Sequence, residues 1–205
     1  ATILRDFSRF SLWKFCSFRP LKNGGIINLN KLISYFQQYC HHAQIENLPI
    51  KTIINAADIT DNNQPKEISF DQGDLATYAV ATSVVPPVFP LFKQAGKTIA
   101  DGGFISLYSA SNLRKRGADV VIGMFPDGLQ YTQLPPIGFN LATVIKSLNS
   151  ARNVYEEEED PVDLVLTDFD CQAGLNDFKK ANQMFDSGYR KVEENIDTIR
   201  QLIKG

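Results

Sequence analysis

Residues 81–90 read ATSVVPPVFP and residues 98–103 read TIADGG, and these two stretches decide the fold that the sequence predicts. The first ends a helix predicted over 74–81, because that segment has an acidic start and helix-forming composition, and prolines follow it. The second predicts a strand over 98–100 that runs directly into Asp101 and a pair of glycines. The rest of the chain is interpreted outward from this helix and this strand.

Helices and strands alternate on both sides of these stretches. Apolar spacing predicts a helix over 29–39, capped by Asn28 or Asn30 and ending near residues 40–42. A strand hairpin is predicted over 51–70. The later elements are a helix, a strand, a helix, a strand and a long helix, predicted over 111–116, 118–123, 141–152, 162–167 and 176–204. This alternation predicts an α/β fold with a mainly parallel central sheet flanked by helices.

Composition bounds the class of protein. The chain has 205 residues, of which 43% are hydrophobic and 21% charged, and these values exclude wholesale disorder and a polytopic membrane protein. A net charge of −2 gives no basis for expecting a nucleic acid partner. The cysteines at positions 16, 40 and 171 have no disulfide-framework spacing, which favours reduced thiols and a cytoplasmic location.

Basic and aromatic residues are concentrated near the start of the chain. Residues 1–50 carry six Lys or Arg against two acidic residues, and five aromatics interleave with basic residues over 5–19. One interpretation is peripheral membrane contact through residues 5–19, within a helical, lid-like subregion over 1–45. The alternative is an ordinary helix whose aromatics face a core and whose charges face solvent.

Segments 81–90 and 100–103 together resemble the second half of the patatin-like phospholipases. In that family a helix ends in small residues, Ser, Pro and Phe-Pro, and a strand soon delivers an aspartate in D-G-G or D-G-A. Gly117-Ala-Asp-Val-Val-Ile122 is similar to the family's next strand, and Phe185-Asp-Ser-Gly-Tyr189 is similar to its C-terminal helix motif. Looser similarity covers two earlier segments, Gly24 to Leu32 and Glu46 to Pro49.

The resemblance implies a patatin-like layered α/β fold and a serine acyl hydrolase with a Ser–Asp dyad. In such an enzyme a serine attacks the ester carbonyl, an aspartate accepts its proton, and a glycine-rich loop donates N–H groups to the oxyanion. Asp101 matches the aspartate, and Gly102 and Gly103 match the active-site loop after it. The implied substrates are phospholipids or other fatty-acyl esters, and no metal or organic cofactor is implied.

The position of Asp101 supports this role independently. Two glycines after a carboxylate at a strand end carry no Cβ atom, so another backbone or a substrate can approach closely. Strand ends are also where α/β sheets place their sites. The alternative is structural: Asp101 begins a tight turn in which its carboxylate accepts the N–H two residues on.

The nucleophile is not identified. No serine lies in G-x-S-x-G, the motif that a strained nucleophile elbow requires. Ser187 is followed by glycine but falls in the predicted C-terminal helix, and Ser83 and Ser106 lack a flanking glycine. The family's glycine-rich oxyanion loop has no counterpart either. We therefore expect residues 1–205 to be the downstream part of one patatin-like domain, with the first strand, oxyanion loop and serine before Ala1.

The remaining features have structural interpretations. Residues 104–109 (FISLYS) replace the Asn and Pro that often follow the family's aspartate, so substrate contacts are not transferred there. His41 and His42 have no third ligand at zinc spacing and indicate the surface end of a helix. The cysteines favour buried small hydrophobes, and the acidic run 156–160 favours a solvated loop.

Two other classes of function stay open on the sequence. A non-catalytic lipid-binding or regulatory module agrees with the missing nucleophile motif. An unrelated α/β protein that carries D-G-G by chance is the other class. A strand before Asp101 that has no parallel neighbour favours the unrelated protein.

Overall fold

The computed structural model describes residues 10–17, 24–61, 64–86, 88–125, 162–171, 173 and 177–204. The chain divides into two compact units, one of Leu12–Leu107 and one of Ala1–Ser11 together with Tyr108–Gly205. None of the described helices is long and apolar enough to cross a membrane.

The described part of the Leu12–Leu107 unit contains two α-helices and a four-stranded sheet. Helix α1 spans Leu29–Tyr39 and α2 spans Leu75–Ala81. The strands, in chain order β1 to β4, are Ile54–Asp58, Lys66–Phe70, Phe92–Gln94 and Lys97–Asp101. Short 3-10 helices occupy Leu12–Phe15, Ile45–Asn47 and Gly102–Phe104.

Side-chain caps fix the starts of both helices, and the sequence predicted the first of them at Asn28 or Asn30. Asn28 caps α1, and its Oδ1 accepts the N–H of Lys31 at 3.1 Å. Asp74 caps α2, and its Oδ1 accepts the N–H of Thr77 at 2.8 Å. These bonds satisfy N–H groups that have no partner within the helix. Helix α1 ends at Tyr39, close to the predicted end.

One hydrophobic cluster of this unit lies on the face of the sheet that carries Ala56 and Ile99. The strand order is β2-β1-β4-β3, and Ala56 of β1 lies opposite Ile68 of β2 and Asp101 of β4. Directly opposed residues of antiparallel strands share a face. On that face Ala56 and Ile99 are almost fully buried against Ala81 of α2. Asp101 is therefore the last residue of β4 on the apolar face that α2 covers.

The second unit contains, in its described part, three α-helices and a two-stranded sheet. The elements are α3 Ala110–Lys115, β5 Ile122–Met124, β6 Leu164–Leu166, a 3-10 helix Phe178–Lys180, α4 Ala181–Glu194 and α5 Ile196–Lys204. Strands β5 and β6 pair in parallel. The Asp163 carboxylate accepts the Val121 N–H at 2.7 Å and an Arg114 N–H at 2.8 Å, and so links α3 to the start of β5.

The prediction of a mainly parallel sheet does not hold for the four-stranded sheet. All of its strand pairs are antiparallel, and β5 and β6 are the parallel pair among the described residues. Parallel neighbours need a crossover of about a dozen residues or more. Here β3 and β4 are joined by Ala95 and Gly96, whose φ values of 49° and 77° suit a two-residue hairpin turn. The hairpin predicted over 51–70 is confirmed.

The single helix predicted over 176–204 is two helices that meet at Asn195. The side chain of Asn195 donates to the Lys191 carbonyl at 2.8 Å, and its backbone N–H donates to the Val192 carbonyl at 3.1 Å. In a continuous helix the Lys191 carbonyl accepts the backbone N–H of Asn195, so the side chain has replaced that bond. The helix predicted over 141–152 and the acidic run 156–160 lie outside the described residues.

Candidate active site

The Asp101 carboxylate lies in a tight turn at the end of β4. Its Oδ1 accepts the N–H of Gly103 at 2.8 Å, and the 3-10 helix Gly102–Phe104 starts at this turn. The bond joins a side chain to the N–H two residues on, as the structural alternative predicts. It also fixes the orientation of the carboxylate, which a general base needs.

The backbone of Asp101 is held from the side opposite β1. Its N–H donates to the Val84 carbonyl at 3.0 Å, and Val84 is fully buried. Val84 follows α2 directly, in the stretch 81–90 that the sequence singled out. The two stretches that decided the predicted fold therefore contact each other through a backbone hydrogen bond.

Gly102 fills a position that has no room for a side chain. A Cβ atom built there lies 2.5 Å from the Asn55 carbonyl oxygen and 3.2 Å from Thr82 Oγ1. The Gly102 carbonyl accepts the N–H groups of Ile105 at 3.0 Å and Ser106 at 3.1 Å, which closes the turn. The glycine is thus required by close backbone approach, as the sequence analysis anticipated for this pair.

The Thr82 hydroxyl bridges two backbone groups beside Asp101. It accepts the N–H of Gly102 at 3.3 Å and donates to the carbonyl oxygen of Asn55. The Asn55 side chain in turn accepts the Ser69 hydroxyl at 2.7 Å. Sequence reasoning missed Thr82, Asn55 and Val84 as neighbours of the loop. Thr82 and Val84 stand in the quoted stretch, whereas no local pattern marks Asn55.

The segment that begins at Gly24 and Gly25 contacts the proline-rich residues 85–90, which follow Val84. The N–H groups of Ile26 and Ile27 both donate to the Val88 carbonyl, at 2.9 and 3.1 Å. Gly25 lies so close that a Cβ atom there would be 2.1 Å from the nitrogen of Pro90. The segment Gly24 to Leu32, which is loosely similar to the family, thus makes a backbone contact with residues 85–90.

The serines considered as nucleophiles have structural positions. Ser83 is exposed, and its hydroxyl donates to the Ala79 carbonyl at 2.9 Å at the end of α2. Ser106 is buried at 6% exposure in the turn after Gly102. Ser187 is buried at 2% exposure on α4, in the other unit. None of the three stands on a strand-to-helix elbow among the described elements.

The histidines and cysteines provide no metal centre in the described part of the chain. His41 and His42 follow α1 with φ values of 49° and 53°, at the exposed end of the helix as predicted. Burial, and then the negative charge of Asp74, raise the pKa of the Cys40 thiol, which makes that thiol less reactive. Among the described residues, no three His, Cys, Asp or Glu side chains are grouped as a metal site.

Two aromatics of the basic N-terminal stretch, Phe10 and Phe15, make ring contacts within the protein. Phe15 is buried at 7% exposure, and its ring meets that of Tyr35 edge-on at 5.2 Å. The ring of Phe10 meets that of Phe178 at 4.9 Å, also edge-on. These contacts agree with ordinary packing for Phe10 and Phe15. Residues 5–9, 18 and 19 of the stretch lie outside the described residues.

Comparison with known families decides the relationship that the turn and its neighbours indicate. A sequence model described as patatin-like phospholipase matches residues 2–111, just over half of the chain. The chain belongs to the patatin-like phospholipase family. The match includes the stretch 81–90 and the Asp101 turn, while the similarities at 117–122 and 185–189 fall beyond it. No curated protein matches the chain.

Membership of the patatin-like phospholipase family removes the unrelated α/β protein as an alternative. The neighbours of β4 are both antiparallel, a pattern that we expected of the unrelated protein. The direction of the strands beside β4 therefore does not separate the family from an unrelated protein, because the family match spans β4 and the turn after it. The family is one of lipid acyl hydrolases, and lipids are therefore the substrate class that it indicates.

Proposed function

We propose that this chain is part of a serine lipid acyl hydrolase in which Asp101 is the base of a Ser–Asp dyad and Gly102 and Gly103 form its loop. The observation that carries the proposal is the family match over residues 2–111, which includes Asp101 at the end of β4 and the turn that its carboxylate makes with the Gly103 N–H. Residues 1–205 contain no G-x-S-x-G, so the proposed serine lies outside them.

The proposed reaction uses Asp101 twice. The carboxylate takes the proton of the serine hydroxyl as the serine oxygen attacks the acyl carbon, and the resulting carboxyl group gives that proton to the departing alcohol. In the second half, Asp101 takes a proton from water while the water oxygen attacks the acyl-enzyme. The serine then leaves with that proton, and the fatty acid is released.

The turn geometry suits this role. A carboxylate offers about four acceptor sites on its two oxygens, so the bond from Gly103 orients the group and does not by itself prevent proton transfer. The bond that the structural alternative predicts is therefore compatible with a catalytic base. Membership of a hydrolase family favours the catalytic interpretation of the same turn.

The finer features of the proposal rest on the sequence. We propose that the substrates are phospholipids or other fatty-acyl esters and that the location is cytoplasmic. We also propose a single domain over 1–205, a lid over 1–45 and peripheral membrane contact through 5–19. The inward packing of Phe15 weighs against its entering a bilayer. A layered fold with a parallel central sheet is also a proposal: the parallel β5–β6 pair supports it, and the antiparallel four-stranded sheet does not.

A second candidate function is a non-catalytic lipid-binding or regulatory module. The observation that favours it is the absence of the nucleophile motif from residues 1–205. Such a module retains the Asp101 turn as a structural element only.

A fluorophosphonate probe separates the two candidates, since it labels only an activated serine. The probe is applied to the complete natural polypeptide that contains residues 1–205, with a heat-denatured sample as control. Labelling of one serine in the native sample alone supports the hydrolase. Absence of labelling, together with sedimentation on phosphatidylcholine vesicles, supports the module and contradicts the proposed enzyme.

A further inference from the structure

We propose that Thr82 is a positioning residue for Asp101, acting through Gly102, and this inference rests on the proposed role of Asp101 as the base. Thr82 belongs to the turn that ends α2 and is not part of the D-G-G segment. Its hydroxyl hydrogen-bonds two backbone groups at the point where β4 leaves the sheet.

The hydroxyl stands where the ladder between β1 and β4 ends. Ala56 lies opposite Asp101, so continuing the register would place Asn55 opposite Gly102. Gly102 instead enters the 3-10 helix, and its N–H reaches Thr82 Oγ1 at 3.3 Å, while the same hydroxyl donates to the Asn55 carbonyl. One hydroxyl can accept one bond and donate another, so it replaces a direct rung of the ladder.

The same short segment holds Asp101 from its other side. The Val84 carbonyl accepts the Asp101 N–H at 3.0 Å, two residues after Thr82. Successive N–H groups of an extended chain point to opposite sides. The Asp101 N–H therefore donates to Val84 on one side of the chain, and the Gly102 N–H donates to Thr82 on the other. The backbone of the candidate base is therefore fixed by both residues of one segment.

The position of Gly102 affects the Asp101 carboxylate through one further hydrogen bond. Gly102 precedes Gly103, whose N–H donates to Asp101 Oδ1 at 2.8 Å. Without the Thr82 hydroxyl, the Gly102 N–H and the Asn55 carbonyl lose a partner in a part-buried position. The turn then shifts, and the Gly103 N–H no longer holds the carboxylate in a single orientation.

Thr60 provides a matched control at the far end of the same strand pair. Its hydroxyl accepts the Thr98 N–H at 2.9 Å and donates to Asp58 Oδ1 at 2.6 Å. Thr60→Val thus removes a hydroxyl that also accepts a backbone N–H of one strand and donates to a residue of the other, here the Asp58 carboxylate, away from the Asp101 turn. Thr82→Ser keeps the hydroxyl and tests for rescue.

The experiment measures kcat and KM for p-nitrophenyl butyrate with the complete natural polypeptide and its Thr82→Val, Thr82→Ser, Thr60→Val and Asp101→Asn variants. We expect Thr82→Val to lower kcat by about tenfold to a hundredfold, since small misplacements of reacting groups have effects of this size. KM stays within about twofold, because the substrate does not contact Thr82 in this account. Thr82→Ser and Thr60→Val keep the wild-type kcat.

A double-mutant cycle shows whether Thr82 acts through Asp101. In the Asp101→Asn protein, adding Thr82→Val should lower kcat by less than about twofold, because the base that Thr82 positions is already absent. A full additional loss there overturns the positioning role, and so does wild-type kcat in Thr82→Val alone. If Thr82→Val does not fold, Thr82→Ala takes its place in the cycle.

The two proposals fail in different ways. Wild-type kcat in Asp101→Asn contradicts the proposed function and, with it, the positioning role. Inactivity of Asp101→Asn combined with full activity of Thr82→Val contradicts the positioning role alone.

Discussion

Gly102 lies so close to Asn55 that a Cβ atom on the glycine would be 2.5 Å from the Asn55 carbonyl oxygen. Real Cβ atoms do not approach a backbone oxygen so closely, and neither backbone can yield without moving a strand. The turn after Asp101 can therefore pass this close to β1 only because the next residue carries no side chain. The same contact places the Gly102 N–H within reach of Thr82.

Gly102→Ala is expected to destabilise the fold and to lower esterase activity. The added methyl group must displace β1 or the turn, and overpacking of this kind costs about 1 to 3 kcal/mol in the free energy of unfolding. Urea denaturation measures the change. An unchanged midpoint would mean that the turn and β1 are not in contact in solution.

Asp74→Ala is expected to destabilise α2. The substitution removes the cap that accepts the Thr77 N–H, and loss of an N-cap costs about 0.5 to 2 kcal/mol. Asp74→Asn is the matched control, since asparagine caps helices about as well as aspartate. Thermal denaturation at neutral pH should place the Asn variant near the wild type and the Ala variant below both.

The Asp74 cap is also expected to weaken in acid. Burial raises the pKa of this carboxyl, but the hydrogen bonds from Thr77 and Gln37 outweigh that effect and hold the pKa below its ordinary value. A carboxyl whose pKa is lowered in the folded state stabilises the fold above the ordinary pKa, near about pH 4, and loses this contribution as the pH falls further. Melting temperatures between pH 7 and pH 2.5 should therefore fall more steeply for the wild type than for Asp74→Asn. Parallel curves would contradict the cap's dependence on ionisation.

Gly188→Ala is expected to stabilise α4. Among the described residues, and apart from its own stretch of helix, a Cβ atom at this position meets no atom within 4 Å. Alanine is favoured over glycine in helix interiors by about 0.5 to 1 kcal/mol. The measurement is again the melting temperature, which should rise. A decrease would contradict the open surroundings of this Cβ position.

Local signals predicted the elements that local chemistry controls. These elements are the cap at Asn28, the helix with its acidic start at Asp74, the hairpin over 51–70 and the strand that ends at Asp101. Each depends on residues near each other in sequence. The pairing direction of the strands depends on connections and neighbours, so alternation of helices and strands did not predict it. Strand β3 carries one apolar residue, Phe92, and gave no strand pattern.

The candidate site was predictable at Asp101 and not around it. Asp101, Gly102 and Gly103 form a motif that a single stretch of sequence contains. The Thr82 hydroxyl reaches this turn because α2 ends beside the point where β4 leaves β1. Thr82 and Gly102 are far apart along the chain, so no local pattern predicts their contact. The break at Asn195 was hidden because the apolar stripe of α4 continues into α5.

The most direct test of the proposed base is kcat/KM for p-nitrophenyl butyrate in Asp101→Asn against Asp58→Asn, both in the complete natural polypeptide. Asp58 lies at the other end of the β1–β4 pair, 3.5 Å from Lys97, so its variant controls for loss of a sheet carboxylate. We predict that Asp101→Asn lowers kcat/KM by about 10²-fold to 10⁴-fold, the range of general-base catalysis, and that Asp58→Asn keeps the wild-type value. Wild-type kcat/KM in a folded Asp101→Asn variant would contradict the assignment of Asp101 as the base.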